Sequence, residues 1–214
     1  MNVHHKETFN KISEEKRQRV LDAAIDEFSS RGFSSANINV IAKNAGISIG
    51  SMYNYFSSKD DLYLTVINHG YKILESIINK IDLEEGDIFD KIEKLLRSAQ
   101  SYAKKYPRLH QIYLDTSTEG SSHLSKRLSK KMESITADFY HKSLKESMDR
   151  GVIASDTDEY IASFCIDNLM LLLQFSYTSK YFQERMKIFA GKKSIQEDER
   201  IITEVMKFIR KALS

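Results

Sequence analysis

One proline, Pro107, and eight glycines in 214 residues leave this chain almost nothing that interrupts a helix. Proline removes a backbone donor and clashes with the preceding turn, while glycine costs a helix backbone entropy, so a chain poor in both permits long helices nearly everywhere. Strand signals are scarce, because no sustained period-two alternation is bounded by turn residues. The expectation is an all-α protein of about nine helices, ten if residues 181–190 form their own.

The helix ends are written in hydroxyl, acid and glycine residues. Ser13 with Glu14 and Glu15 opens a first helix, whose stripe Val20, Leu21, Ala24, Ile25 and Phe28 stops at Arg31-Gly32. Asn37 and Ser48 cap two short helices, and Ser57 to Asp61 opens a long one reaching about Ile81. The next runs from about Asp87 to Tyr106 and ends before Pro107, since the residue preceding proline disfavours helical backbone. A short helix from Pro107 to Thr116 is followed by a loop over Ser117–Ser122, then a helix from Leu124 to Arg150 that stops at Gly151. Asp156 to Glu159 forms a capping-box-like start for an apolar helix to about Tyr181, and Ser194 to Glu197 a capping box for the last, to Leu213.

Hydrophobic residues at 41% and charged ones at 29% describe a globular protein with a core. No apolar stretch approaches the roughly 20 residues of a membrane span, the longest run lying around Leu169–Leu173, and the polar start MNVHHKETFNK lacks a signal peptide's apolar segment. Cytoplasmic residence is expected. The single cysteine, Cys165, forms no internal disulfide and no cysteine-based metal cage; in IASFCIDNLMLLL it reads as a small buried core residue, not a nucleophile. His69, His110, His123 and His141 show no metal-ligand spacing. With no paired carboxylates at a known spacing, no nucleophile motif and no phosphate-cradling glycine loop, neither an enzyme nor a cofactor is expected.

Ile38–Phe56, INVIAKNAGISIGSMYNYF, reads as helix, glycine turn and helix. Ile41, Ala42 and Ala45 share one stripe, Met52 and Phe56 stand four apart on the next helix, and Gly46 between them supplies a left-handed backbone. Small alanines let two short helices cross closely, which is the layout of a DNA-reading helix-turn-helix. Ile49, Ser51, Tyr53 and Asn54 remain outward. Such a corner can also be plain packing, and charge does not decide between the two: residues 1–59 hold eight Lys/Arg against six Asp/Glu, a balance of +2 matching the whole chain's. The basic run Ser125–Lys131 reads as a solvated face, because Leu128 and Met132 share its helix.

Residues 13–65 resemble the tetracycline-repressor (TetR-type) transcriptional regulators. The resemblance is carried by Ile41-Ala42, Ala45-Gly46-Ile47-Ser48, Ser51-Met52-Tyr53, Tyr55-Phe56 and Ser58-Lys59-Asp60-Asp61-Leu62, with Glu27-Phe28 and Arg31-Gly32-Phe33 upstream. Beyond Leu62 only helix number and order are similar. The resemblance implies a DNA-binding domain over 1–60, an effector-binding and dimerisation domain over 61–214, and a homodimer on operator DNA. By position, Asn39 and Ile49 fall where members often read bases, Ser51, Tyr53 and Tyr55 face bases or phosphates, and Lys59 matches a phosphate-contacting lysine. With Asn37, Ser48 and Asn54 these form the candidate DNA-contacting set. Many members carry Lys or Arg where this chain has Asn39 and Ile49, which predicts a flatter salt dependence, by roughly 0.9 log units of slope per lost phosphate contact. Asn39 can pair bidentately with adenine; Ile49 packs either on a thymine methyl or on protein.

The resemblance further implies a repressor released by a small effector, with an all-helical enzyme or adaptor as the alternative. The tyrosine-rich middle of the chain points to an apolar ligand, with Ile67, Tyr71, Tyr102, Leu109, Tyr113, Phe139 and Leu172 as candidate liners whose plainer role is core. Family analogy puts the dimer on the last two long helices, through Phe164, Asn168, Phe175, Ile202, Val205 and Ile209. These helices are apolar on more than one side and so need more than one partner.

Overall fold

The computed structural model describes residues 3–80, 85–118 and 122–214; for residues 78, 117, 118 and 122–135 it describes the backbone alone. All regular structure among these residues is helical: eleven α-helices and one 3-10 turn. The chain divides into two compact units, one running to Glu75 with Arg108–Ser125, the other comprising Ser76–Pro107 and Lys126–Ser214.

The first unit begins with a one-turn helix, α1 (Glu7–Asn10), and continues through α2 (Glu14–Ser35), α3 (Ile38–Asn44) and α4 (Ile49–Tyr55) into α5 (Lys59–Ile78). After α6 (Ile88–Lys105), α7 (Pro107–Thr118) returns to it. Ser13 caps α2 by accepting from the Lys16 amide, and α2 breaks at Gly32, whose φ of 69° only glycine adopts without strain. Val20, Ala24, Phe28, Ile41, Leu62, Leu64 and Val66 are almost wholly enclosed. Phe28 and Phe33 both lie 4.9 Å from the Tyr63 ring, whose hydroxyl shares a 2.7 Å bond with Thr116 Oγ1. That bond satisfies a polar group buried beneath α7.

The second unit contains α6, most of α8 (Ser122–Asp149), α9 (Glu159–Thr178), α10 (Lys180–Ala190) and α11 (Asp198–Leu213). Its core joins Ile88, Ile92 and Leu96 to Tyr140, Leu144, Ile166, Met170, Ile202, Met206 and Ile209. Arg97 on α6 reaches Glu199 on α11 at 2.8 Å while also holding Glu93, and Lys104 pairs with Asp198. These partly exposed pairs fix register more than they add stability.

Several helix boundaries differ from the sequence expectation. A one-turn helix, α1, precedes the first helix expected at Ser13. The helix expected to reach Tyr181 stops at Thr178: Ser179 is extended, and Phe182 turns back to pack 5.5 Å from Phe175, leaving α10 as a separate helix. Ser194 caps nothing, because Ser194–Gln196 is a 3-10 turn, α11 starts at Asp198, and the Ser194 Oγ is buried with no hydrogen-bond partner among the described residues. Asp158 alone caps α9, accepting from Tyr160 and Ile161, while a full capping box, Asp87 with Asp90, opens α6. Thr118 extends α7 past the expected Thr116; Ile81, Gly120 and the side chains of Ser125–Lys131 lie outside the described residues.

Two statements about α9 are corrected. It is long and apolar enough, by length and composition, to cross a membrane, as core helices of globular proteins also are, although polar Asp167 and Asn168 interrupt its apolar run. Cys165 on this helix is exposed, not buried, because the helix turns it away from the side that buries Ile166 and Met170.

Candidate nucleic-acid interface

α3 and α4 are seven residues each and meet at a corner built by local rules. Gly46 takes φ +68°, a backbone that side chains resist, although a Cβ there would meet nothing within 4 Å; its requirement is conformational, not steric. The Ile47 amide donates to the Ala42 carbonyl at 3.0 Å, turning the chain. Ala42 and Ala45 are buried at the crossing together with Ile41 and Met52. Ser48 accepts from the Ser51 amide at 3.0 Å, and their hydroxyls are 2.9 Å apart.

At 100° per residue, α4 turns Met52 and Tyr55 inward and Ile49, Gly50, Tyr53 and Asn54 outward. Tyr53 is 51% exposed and Ile49 38%, so both project from the surface without being free of it. α3 adds exposed Asn39, Val40, Lys43 and Asn44. Aliphatic, aryl, amide and ammonium groups thus share one convex surface.

The other candidates hold the corner together. Asn37 accepts from the Asn39 amide at 2.9 Å and its own amide donates to Glu27 at 3.0 Å, which starts α3. Tyr55 is 7% exposed; its ring packs 5.6 Å from Phe9 and edge-on to Phe56, so it faces the interior and not a groove. Lys59 directs its ammonium to the Ser34 and Ala36 carbonyls at 3.0 and 3.3 Å, over the Phe33 ring, so at least two of its three N–H groups serve the fold.

The sequence reading missed the segment that backs α4. The Lys6 amide and ammonium donate to the Tyr55 and Tyr53 carbonyls, both at 2.8 Å, and Thr8 Oγ1 donates to the Asn54 carbonyl. Three carbonyls at the end of a short helix are thereby satisfied. Phe9, 1% exposed, sits against Tyr55 and Phe56, with the His5 ring tilted against it at 5.2 Å. The available signal was a large aromatic residue, Phe9, in an otherwise polar stretch.

The proposed effector liners are divided between the units. Ile67, Tyr71, Leu109 and Tyr113 belong to the first; Ile67 and Leu109 are buried and the tyrosines half-buried. Tyr102, Phe139 and Leu172 belong to the second, where burial raises the Tyr102 hydroxyl pKa far above its usual range, while Leu172 is 44% exposed on the outer side of α9. Of the dimer candidates, Phe164 is 66% exposed, and Asn168 and Val205 are half-buried. Ile202 and Ile209 are enclosed in their own unit's core and Phe175 is buried as well, so all three have almost no surface to offer a partner; Tyr160, Ile161 and Phe208 are exposed apolar groups on the same two helices. Among the described residues, no group of three or more His, Cys, Asp or Glu is placed to hold a metal.

Residues 20–66 match the family model described as bacterial regulatory proteins, tetR family. Over 72 residues the chain is 38% identical to the HTH-type transcriptional regulator AcrR of Shigella flexneri, covering 34% of this chain and 32% of that one. The chain spans between 32% and 39% of the length of the first curated relatives it matches. The fold is similar over nearly the whole length to a TetR family transcriptional regulator from Chloroflexus aurantiacus J-10-FL, with TM-score 0.74, 22% identity and 98% of each chain covered. It is also similar to FadR from Bacillus subtilis in complex with stearoyl-CoA, with TM-score 0.69, 16% identity, and 92% and 99% of the two chains covered.

Proposed function

We propose, from the match of residues 20–66 to the tetR family of bacterial regulatory proteins, that the chain is a sequence-specific double-stranded DNA-binding transcriptional regulator acting in the cytoplasm. The observation that carries this reading is the outward face of α4, where Ile49, Tyr53 and Asn54 project beside exposed Asn39 and Lys43 of α3. The apolar and aryl groups suit thymine methyls and base edges, the amides suit adenine, and the ammonium suits a phosphate. Most of the relatives carry the names of regulators and none that of an enzyme, which favours this reading over an enzyme.

DNA reading is assigned to residues 1–60, and effector binding and dimerisation to residues 61–214. The chain acts as a homodimer through the apolar face of α9 that carries Tyr160, Ile161 and Phe164, each at least 60% exposed. Two recognition helices then lie about 34 to 36 Å apart and enter successive major grooves. The effector is apolar. The similar fold of a protein solved with stearoyl-CoA supports a ligand of that character, and the relatives named as repressors support repression, relieved by ligand, as the default action. Operator and effector must weaken each other's binding by one common factor, typically about 1–3 kcal/mol.

Selection from a randomised duplex pool, followed by mobility shift at low and moderate salt, tests the reading. The expected result is an enriched, two-fold symmetric site. No shift at low salt would overturn it in favour of an adaptor or an enzyme.

A further inference from the structure

The exposed face of α4 has a gap at its centre. Gly50 is the second residue of the helix, and the backbone does not require glycine there: among the described residues the positive-φ glycines are 32, 46, 86, 151 and 191. Packing does not require it either, since a Cβ at Gly50 would meet only Ser48 Oγ, at 3.8 Å, an ordinary contact. Glycine nevertheless costs a helix stability relative to alanine, and α4 has only seven residues over which to absorb the loss. Neither the backbone conformation nor the packing of α4 thus accounts for a glycine at this position.

Helical geometry places Gly50 between Tyr53 and Asn54 on the arc that begins at Ile49, opposite buried Met52 and Tyr55. A bare Cα flanked by three projecting side chains is a notch. We propose that Gly50 is a specificity-determining position of the DNA interface, at which the edge of a base pair in the major groove reaches van der Waals contact with the α4 backbone while Ile49, Tyr53 and Asn54 straddle it. The inference rests on the DNA-reading function proposed above. A methyl group at this point holds the helix off the base edges, so it weakens the neighbouring contacts as well as its own. Nonspecific binding, which is dominated by phosphates, is affected far less.

The test uses the full chain, the duplex that the wild type enriches from a randomised pool, and a scrambled duplex of the same composition. Gly50→Ala and Gly50→Leu both introduce better helix formers, so their thermal midpoints should equal or exceed that of the wild type. Affinity for the selected duplex should fall about tenfold or more with alanine and further with leucine, while affinity for the scrambled duplex stays within about twofold. Unchanged affinity of Gly50→Ala for the selected duplex overturns the inference, as does an equal loss on both duplexes or a lowered thermal midpoint. If the wild type enriches no sequence, the DNA-reading proposal itself fails; if it does and Gly50→Ala is indifferent, only the inference about Gly50 fails.

Discussion

Lys59 Nζ donates to the Ser34 carbonyl at 3.0 Å, joining the first residue of α5 to the end of α2, twenty-five positions earlier. A second bond to Ala36 and the Phe33 ring beneath complete a seat for the ammonium. Lys59→Met should therefore destabilise the chain in the absence of DNA by about 1–2 kcal/mol, less than the roughly 1.5–3 kcal/mol of hydrogen bonds to a charged group because the site is partly exposed. Urea unfolding reads this directly, and an unchanged midpoint would return the lysine to a phosphate-binding role alone.

Phe9 makes the corresponding prediction for α1. It is 1% exposed against Tyr55 and Phe56, so Phe9→Ala should cost about 3 kcal/mol in urea unfolding and speed amide exchange in α4. Exchange in α4 that stayed at the wild-type rate would show that the N-terminal segment does not support that helix.

These two residues also mark where sequence reasoning stopped. The corner itself was legible, because Asn37, Ser48, Gly46 and the alanines act through neighbours within a few residues. What covers Tyr55 was not, since Phe9 and Lys6 reach it across more than forty positions. Lys59 was assigned by resemblance to a phosphate, whereas its bonds run to the end of another helix. In the second unit the apolar stripes were visible, but a helix apolar on several sides does not say which side meets its own chain. Ile202 and Ile209 proved internal, whereas Cys165 and Phe208 proved external.

His110 on α7 should give the first unit a pH dependence. Burial pushes its imidazole down to about 4 from an ordinary 6.5. Between those values the unfolded chain binds the proton and the folded chain does not, so this contribution to stability rises with pH and is lost as pH falls from 6.5 to about 4. The loss at low pH amounts to about 3 kcal/mol. His69, also depressed chiefly by burial and opposed by Asp22, acts in the same direction. Urea unfolding of wild type and His110→Gln between pH 4.5 and 7 should show a shallower slope in the variant; parallel slopes would assign the dependence to other groups.

Phe164 tests the α9 face. A phenylalanine 66% exposed beside Tyr160 and Ile161 is apolar area left in water, and an isologous contact would cover it twice over, once from each copy. Light scattering should give the wild type about twice the 24.7 kDa of one chain. Phe164→Asp should leave helical circular dichroism intact while weakening the dimer by about 100-fold or more, because it sets two carboxylates into the same apolar contact. Ile202→Asp should behave differently. Ile202 is fully enclosed in the core of its own unit, so a charge there has no solvated position and unfolds the unit itself. If Phe164→Asp kept the dimer mass, or if the wild type ran as a single chain, the exposed face of α9 would have to meet something other than its own copy.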